Sequence, residues 1–210
     1  MDQIVFLDYA GVAVFAATGA LSASRKQLDI VSFLFLAAVT GVGGGTVRDL
    51  ILGVPVFWVA NHDYLAVCAA MATVVYFTAH LIESRYRLLL WLDAVGLAAY
   101  STYGAWKGLV VTGSAPVAIV TGLLTATLGG ILRDQLAGEP SVLMRREIYV
   151  TAAMAGTVVF SLLHIAGLPL VAAAVAAFTV AFSIRAGALR YGWSIPPYKG
   201  RPGRRPEDIG

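Results

Sequence analysis

The chain has 210 residues, of which 59% are apolar and 13% charged, about half the charged share of an ordinary soluble domain (~25%). With a mean hydropathy of +0.78 and a formal charge of +3, this composition excludes a disordered chain, a disulfide scaffold and a nucleic-acid-binding domain, because Lys and Arg are few and dispersed among apolar runs. The single cysteine, Cys68, can make neither an intramolecular disulfide nor a cysteine metal site.

Apolar runs long enough to cross a bilayer, about 20 residues each, predict seven spans. They run from Ile4 to Ser22, Ile30 to Leu52, Tyr64 to Ile82, Leu88 to Trp106, Pro116 to Leu136, Ile148 to Gly167 and Leu168 to Ala186, the last two divided only at Gly167-Leu168-Pro169. The first span is not a cleavable signal, since Asp2 and Asp8 precede or enter it and Arg25 and Lys26 follow it. Basic residues fall on one side: Arg25, Lys26, Arg85, Arg87, Arg145, Arg146, Arg185, Arg190, Lys199, Arg201, Arg204 and Arg205 share the side of the C-terminus, and Lys107 stands alone opposite. Because cytoplasmic loops hold the excess of Lys and Arg, the N-terminus is expected outside and the C-terminus in the cytoplasm. Residues 1–187 then form one membrane domain, and the basic, proline-containing segment 188–210 reads as a disordered cytoplasmic tail within reach of anionic lipid.

The sequence repeats itself with an offset of 85 residues. Leu7-Asp8 aligns with Leu92-Asp93, Gly19-Ala20 with Gly104-Ala105, Thr40 with Thr125, Gly44-Gly45 with Gly129-Gly130, Arg48-Asp49 with Arg133-Asp134, Pro55 with Pro140 and Tyr64 with Tyr149. Repeat 1 covers about 4–85, repeat 2 about 89–167, and a seventh helix about 168–187 follows. Three spans per repeat place the second copy in the opposite orientation, the 3+3 inverted-topology architecture of an all-α integral membrane protein.

Spans 2 and 5 carry the unusual residues. Gly41, Gly43, Gly44 and Gly45 each cost a helix about 0.8–1 kcal/mol relative to Ala, which predicts a break in helix 2. Gly129 and Gly130 predict the same in helix 5, and unwound backbone at membrane depth must line a cavity. The alternative is close packing through small residues. On this reading Gly43, Gly44, Gly45, Thr46, Thr127, Gly129 and Gly130 line an ion path. Arg48 pairs with Asp8 or Asp49 at its outer end, and Arg133 with Asp93 or Asp134 at its inner end, because intramembrane charges are costly unless paired or hydrated. These pairs either gate the path or hold the bundle together. The glycines precede no Lys-Ser/Thr, so they form no phosphate loop. His62, His80 and His164 lack the spacing of a helical metal site. Tyr64, Tyr149, Trp58, Trp91, Trp106 and Trp193 read as interfacial anchors. No catalytic or metal-binding arrangement is found, and an enzyme is not expected.

Seven spans, the inverted repeat, Gly41-x-Gly43-Gly44-Gly45-Thr46-x-Arg48-Asp49 in helix 2 and Gly129-Gly130-x-x-Arg133-Asp134 in helix 5 resemble the prokaryotic members of the trimeric intracellular cation channel family over about residues 4–187. The resemblance implies a homotrimer in a prokaryotic inner membrane, each protomer with its own pore for K+ or Na+ lined by helices 2 and 5, and no cofactor. Related bacterial sequences carry the label glycine transporter, so the alternative is a secondary transporter of a small zwitterion. The chain departs from the pattern where Leu128 replaces a third glycine, and it lacks the Lys-Glu-Val signature of animal members in helix 2.

Overall fold

The structure, a computed structural model, describes residues 2–142, 144, 147–196 and 203, the first four by backbone alone. It is all-helical: α1 (Asp2–Arg25), α2 (Ile30–Leu52), a four-residue α3 (Phe57–Ala60), α4 (Asp63–Thr78) running into a 3-10 turn (Ala79–Leu81), α5 (Arg85–Thr112), α6 (Ala115–Leu136), α7 (Val150–Ile165) and α8 (Leu170–Tyr191). The predicted segments overlie every helix except α3. Five of these elements, α1, α2, α4 with its turn, α6 and α8, are long and apolar enough to cross a bilayer, whereas α7 has 16 residues and α5 is less apolar. Large apolar side chains such as Val31, Phe35, Phe77, Val120, Leu162 and Val175 stand exposed on the outside of the bundle, the surface expected of an integral membrane protein.

Local chemistry sets the helix ends. Asp29 caps α2 by accepting the Ser32 N–H at 2.7 Å, and these backbone N–H groups hold its carboxyl below the usual carboxylate range. Ser84 caps α5, and Gly53, Gly113 and Gly192 close α2, α5 and α8 with φ of 65°, 65° and 70°, a conformation that favours glycine. Helix α8 continues to Tyr191, past the boundary at 187 drawn from sequence. Arg145, Arg146 and most of the tail lie outside the described residues.

The helices pack as two groups of three. Helices α1, α2 and α4 contact one another, as do α5, α6 and α7; α1 meets α5 and α2 meets α6 between the groups, and α8 lies on α5 and α7. In the core α1 meets α5 with the Phe15 and Tyr100 ring centres 5.3 Å apart, and Val12, Ala16, Ala20, Leu97 and Ala98 are buried around them.

The expected breaks at the glycines are absent. Helix α2 runs unbroken through Gly41–Gly45 and α6 through Gly129–Gly130, and none of these glycines has positive φ. The reason lies across the interface. A Cβ on Gly44 would strike the Thr125 carbonyl oxygen, and one on Gly129 would sit 2.5 Å from that of Thr40. The two contacts are equivalent under the 85-residue offset. The glycines therefore let two continuous backbones touch, and the propensity cost is offset by packing and by intact helical hydrogen bonds where no water can replace them.

Candidate functional site

Each of α2 and α6 carries an Arg-Asp pair toward its C-terminal end, and each pair is the centre of a buried polar cluster. In the α2 cluster, Arg48 Nε donates to Asp49 Oδ1 at 2.7 Å. The ammonium of Lys107, reaching over from α5, lies 2.8 Å from the same oxygen. Asp49 Oδ2 accepts the backbone N–H of Phe57 at 3.0 Å, which ties the short α3 to the end of α2. The guanidinium carbon of Arg48 stands 5.0 Å from the Tyr103 ring and 5.5 Å from the Phe57 ring, within the range of cation–π attraction. Asp8 of α1 accepts the Tyr64 hydroxyl on Oδ2 at 2.9 Å. Arg48 Nη1 and Nη2 and Asp8 Oδ1 are buried without a hydrogen-bond partner. Of the two partners anticipated for Arg48, the structure uses Asp49 and not Asp8, because Asp49 is adjacent on the same helix end while Asp8 is engaged by Tyr64.

The α6 cluster is built from the equivalent residues and bonded differently. Arg133 Nη1 donates to Asp93 Oδ1 at 2.7 Å and to Thr18 Oγ1 at 3.0 Å, while Nε and Nη2 donate to Asp134 Oδ1 at 3.1 and 2.9 Å. Both anticipated carboxylates are therefore used, and the guanidinium bridges α6, α5 and α1. Asp134 Oδ2 accepts the Val142 N–H at 3.0 Å, repeating the Asp49–Phe57 bond eight residues on. The hydroxyl of Tyr149, counterpart of Tyr64, is buried without a partner.

The exchange is reciprocal. In the α2 cluster the α1 aspartate bonds the tyrosine and the arginine keeps two unpartnered nitrogens; in the α6 cluster the α5 aspartate bonds the arginine and the tyrosine is left over. A buried guanidinium bonded at all three nitrogens, as in Arg133, offsets more of its desolvation cost than one with two bare nitrogens. With Lys107 counted, Arg48, Asp8, Asp49 and Lys107 sum to no formal net charge.

The remaining anticipated residues make contacts within and between helices. Thr46 and Thr127 bond their own helices, donating to Val42 O at 2.7 Å and Leu123 O at 2.8 Å, and Thr46 Oγ1 also accepts from Trp58 Nε1 at 2.8 Å. Gly45 makes room for the Phe57 ring and Gly43 for Leu132, while a Cβ on Gly130 would stand 2.6 Å from the Tyr149 hydroxyl. Among the described residues no group of three or more His, Cys, Asp or Glu is arranged to hold a metal ion.

Sequence reasoning missed several participants. Tyr64 and Tyr149 were expected at the interface, yet they are 7% and 1% exposed and belong to the clusters; their recurrence at the same offset as Asp8 and Asp93 was the available signal. Thr18, Tyr103 and Lys107 arrive from the facing group of helices and leave no local signature. Arg185, counted with the cytoplasmic basic residues, is fully buried in α8. It donates to Glu147 Oε2 at 2.7 Å and stands 5.1 Å from the Tyr149 ring.

Comparison with known proteins shows the family. A family model described as Glycine transporter matches twice, over residues 5–80 and 90–165, segments offset by 85 residues. The chain is 36% identical over 200 residues to a UPF0126 membrane protein of Vibrio cholerae, covering 93% of this chain and 82% of that protein. It is 37% identical over 203 residues to the UPF0126 inner membrane protein YadS of Escherichia coli K12, covering 93% and 96%. Among solved structures it resembles the TRIC trimeric intracellular cation channel orthologue from Rhodobacter sphaeroides, with a TM-score of 0.90 and 49% identity over 92% of this chain and 100% of that one. A protein whose two halves each match the glycine-transporter model, and whose fold superposes on a TRIC protein at that identity, belongs to the prokaryotic TRIC-type family of integral membrane proteins.

Proposed function

We propose that the chain is a monovalent cation channel, K+ favoured, assembled as a homotrimer with one path in each protomer. All seven long helices span the membrane in this reading. Helices α1, α2 and α4 are related by inversion to α5, α6 and α7, with α8 appended, the N-terminus outside and the C-terminus cytoplasmic. The R. sphaeroides neighbour, described as a trimeric intracellular cation channel, supports the trimeric assembly and the passage of a cation. With continuous helices, the path cannot rely on exposed carbonyls at glycine breaks. Its constrictions are the two charged clusters, Arg48 with Asp8 and Asp49 on the outer side and Arg133 with Asp93 and Asp134 on the inner side. The observation that carries this reading is the opposite bonding of the two clusters. One equivalent aspartate holds arginine and the other holds tyrosine, so each aspartate has two partners to choose between, which is what a two-state gate requires. A cation passes a buried guanidinium only where carboxylates neutralise it, and Asp93 and Asp134 both bond Arg133. The test is tracer rubidium flux from proteoliposomes. A passive leak that does not saturate with K+ and needs no second solute supports a channel, and absence of flux from folded protein refutes it.

One observation favours a second reading, secondary transport of a small zwitterion such as glycine. The α2 cluster holds both an unpartnered guanidinium edge on Arg48 and an unpartnered carboxylate oxygen on Asp8, the complements of a carboxylate and an ammonium. Saturable uptake of labelled glycine, lost in Arg48→Gln, would establish it in place of the channel.

A further inference from the structure

At the end of the bundle where α1 leaves and α5 enters, a cavity of about 580 Å³ opens between the first turns of α5 and the last turn of α8. That is the size range of pockets for drug-sized ligands, ~300–1,000 Å³. Its polar lining is Ser84, Tyr86 and Arg87 at the start of α5 and Arg190 on α8; its apolar lining is Leu90, Trp91 and Leu189.

The two arginines differ from the other arginines around them. Arg25 pairs with Glu139 at 3.4 Å, Arg85 donates to Ala79 O and Ser24 O, and Arg185 pairs with Glu147. Arg87 and Arg190 are exposed, and among the described residues their guanidinium groups have no carboxylate or carbonyl partner. Two arginines from different helices, both lining one cavity with an apolar wall, make an amphipathic site for a ligand with an anionic head and an apolar body. The N-terminal end of the 28-residue α5 adds positive potential. Arg190 counters the negative end of α8, and Glu83, next in sequence to Ser84, lines the adjoining cavity with Arg25 and Arg85 rather than this one.

The surroundings identify the ligand's source. Helix α8 is one of the apolar spans, and at its end and just beyond it Tyr191, Trp193 and Ile195 are 73%, 49% and 51% exposed, the aromatic and apolar belt expected where a helix leaves the hydrocarbon. The geometry points to a binding site for an anionic glycerophospholipid, the phosphodiester held between Arg87 and Arg190 and the glycerol and upper acyl chain against Leu90, Trp91 and Leu189. The site is separate from both charged clusters, and the inference stands whichever solute the protein passes.

The experiment is native mass spectrometry of the purified full-length protein released from micelles doped with phosphatidylglycerol or phosphatidylcholine of the same acyl chains. Retention should favour phosphatidylglycerol, and Arg87→Gln/Arg190→Gln should reduce that preference roughly thirtyfold, the scale expected for removing two charges worth ~1 kcal/mol each. Arg87→Lys should keep most of it, and Arg25→Gln should keep it. Leu189→Trp, which fills the apolar wall without touching charge, should also lower retention. Equal retention of the two lipids by the unaltered protein, or undiminished preference in the double variant, would overturn the proposal. So would displacement of the lipid by inorganic phosphate alone, which would make this a soluble-anion site. Loss of oligomeric mass in Leu189→Trp with lipid retention unchanged would overturn it too, since a neighbouring protomer would then be the occupant.

Discussion

Replacing Gly44 by alanine tests whether the glycines of α2 and α6 serve packing or an open path, because the two uses give opposite signs. The added methyl would meet the carbonyl oxygen of Thr125 and stand 3.4 Å from its Cα. Both are backbone atoms of a continuous helix and cannot rotate aside. Overpacking a tight core costs ~1–3 kcal/mol, and a collision with backbone belongs in the upper half of that range. Removing a glycine from a helix interior returns about 1 kcal/mol. The balance is a loss of about 1–2 kcal/mol, or a fall of roughly 2–8 °C in Tm for a chain of this length. Gly129→Ala, with its methyl 2.5 Å from Thr40 O, should behave alike. The two together should cost less than their sum, because the first substitution already separates the helices that the second would push apart. Thermal unfolding of detergent-solubilised protein, followed by recovery of the folded peak on gel filtration, measures the effect. A Tm raised by either substitution would refute the packing argument; that is the result expected of a glycine whose Cβ would meet nothing.

Two further predictions concern the clusters. Tyr64→Phe removes the hydroxyl that Asp8 Oδ2 accepts from and should cost ~1–3 kcal/mol by leaving a buried carboxylate oxygen unbonded, whereas Tyr149→Phe, whose hydroxyl has no partner, should stay within about 0.5 kcal/mol; equal losses in parallel thermal melts would show that the two clusters are not bonded oppositely. Lys107→Gln removes one of two cations held on Asp49 Oδ1 and should raise unitary K+ conductance, most at low salt where charge is least screened; conductance and salt dependence identical to those of the unaltered protein would take Lys107 out of the ion's surroundings.

The sequence revealed apolar runs, the 85-residue offset and the Arg-Asp pairs readily, because each is written in consecutive residues or repeated in register. The meaning of the glycines was not legible. Helix propensity counts what Gly44 costs its own helix, while the compensating partner, the carbonyl of Thr125, lies in another helix and carries no side-chain signature. Choice of partner was equally hidden: Arg48 and Arg133 sit in the same local motif, yet one meets Tyr103 and Lys107 across the interface and the other meets Thr18. Those neighbours occupy positions where the two repeats differ, so the offset that exposed the motif could not supply them. Arg185 could have been noticed. It is flanked by Ile184 and Ala186 at the end of an apolar run, and its guanidinium turns inward to Glu147 and Tyr149.

The central claim is a cation path through each protomer guarded by two charged clusters, of which the α6 cluster is latched. Planar-bilayer recording in asymmetric KCl of the unaltered protein, Arg48→Gln and Arg133→Gln, each checked as folded by gel filtration, tests it most directly. The account predicts unitary currents that reverse near the K+ potential. Open probability should rise far more in Arg133→Gln, which releases a bridge across three helices, than in Arg48→Gln, which releases one bond to a neighbouring residue. Silent bilayers from folded protein, or equal effects of the two substitutions, would contradict it.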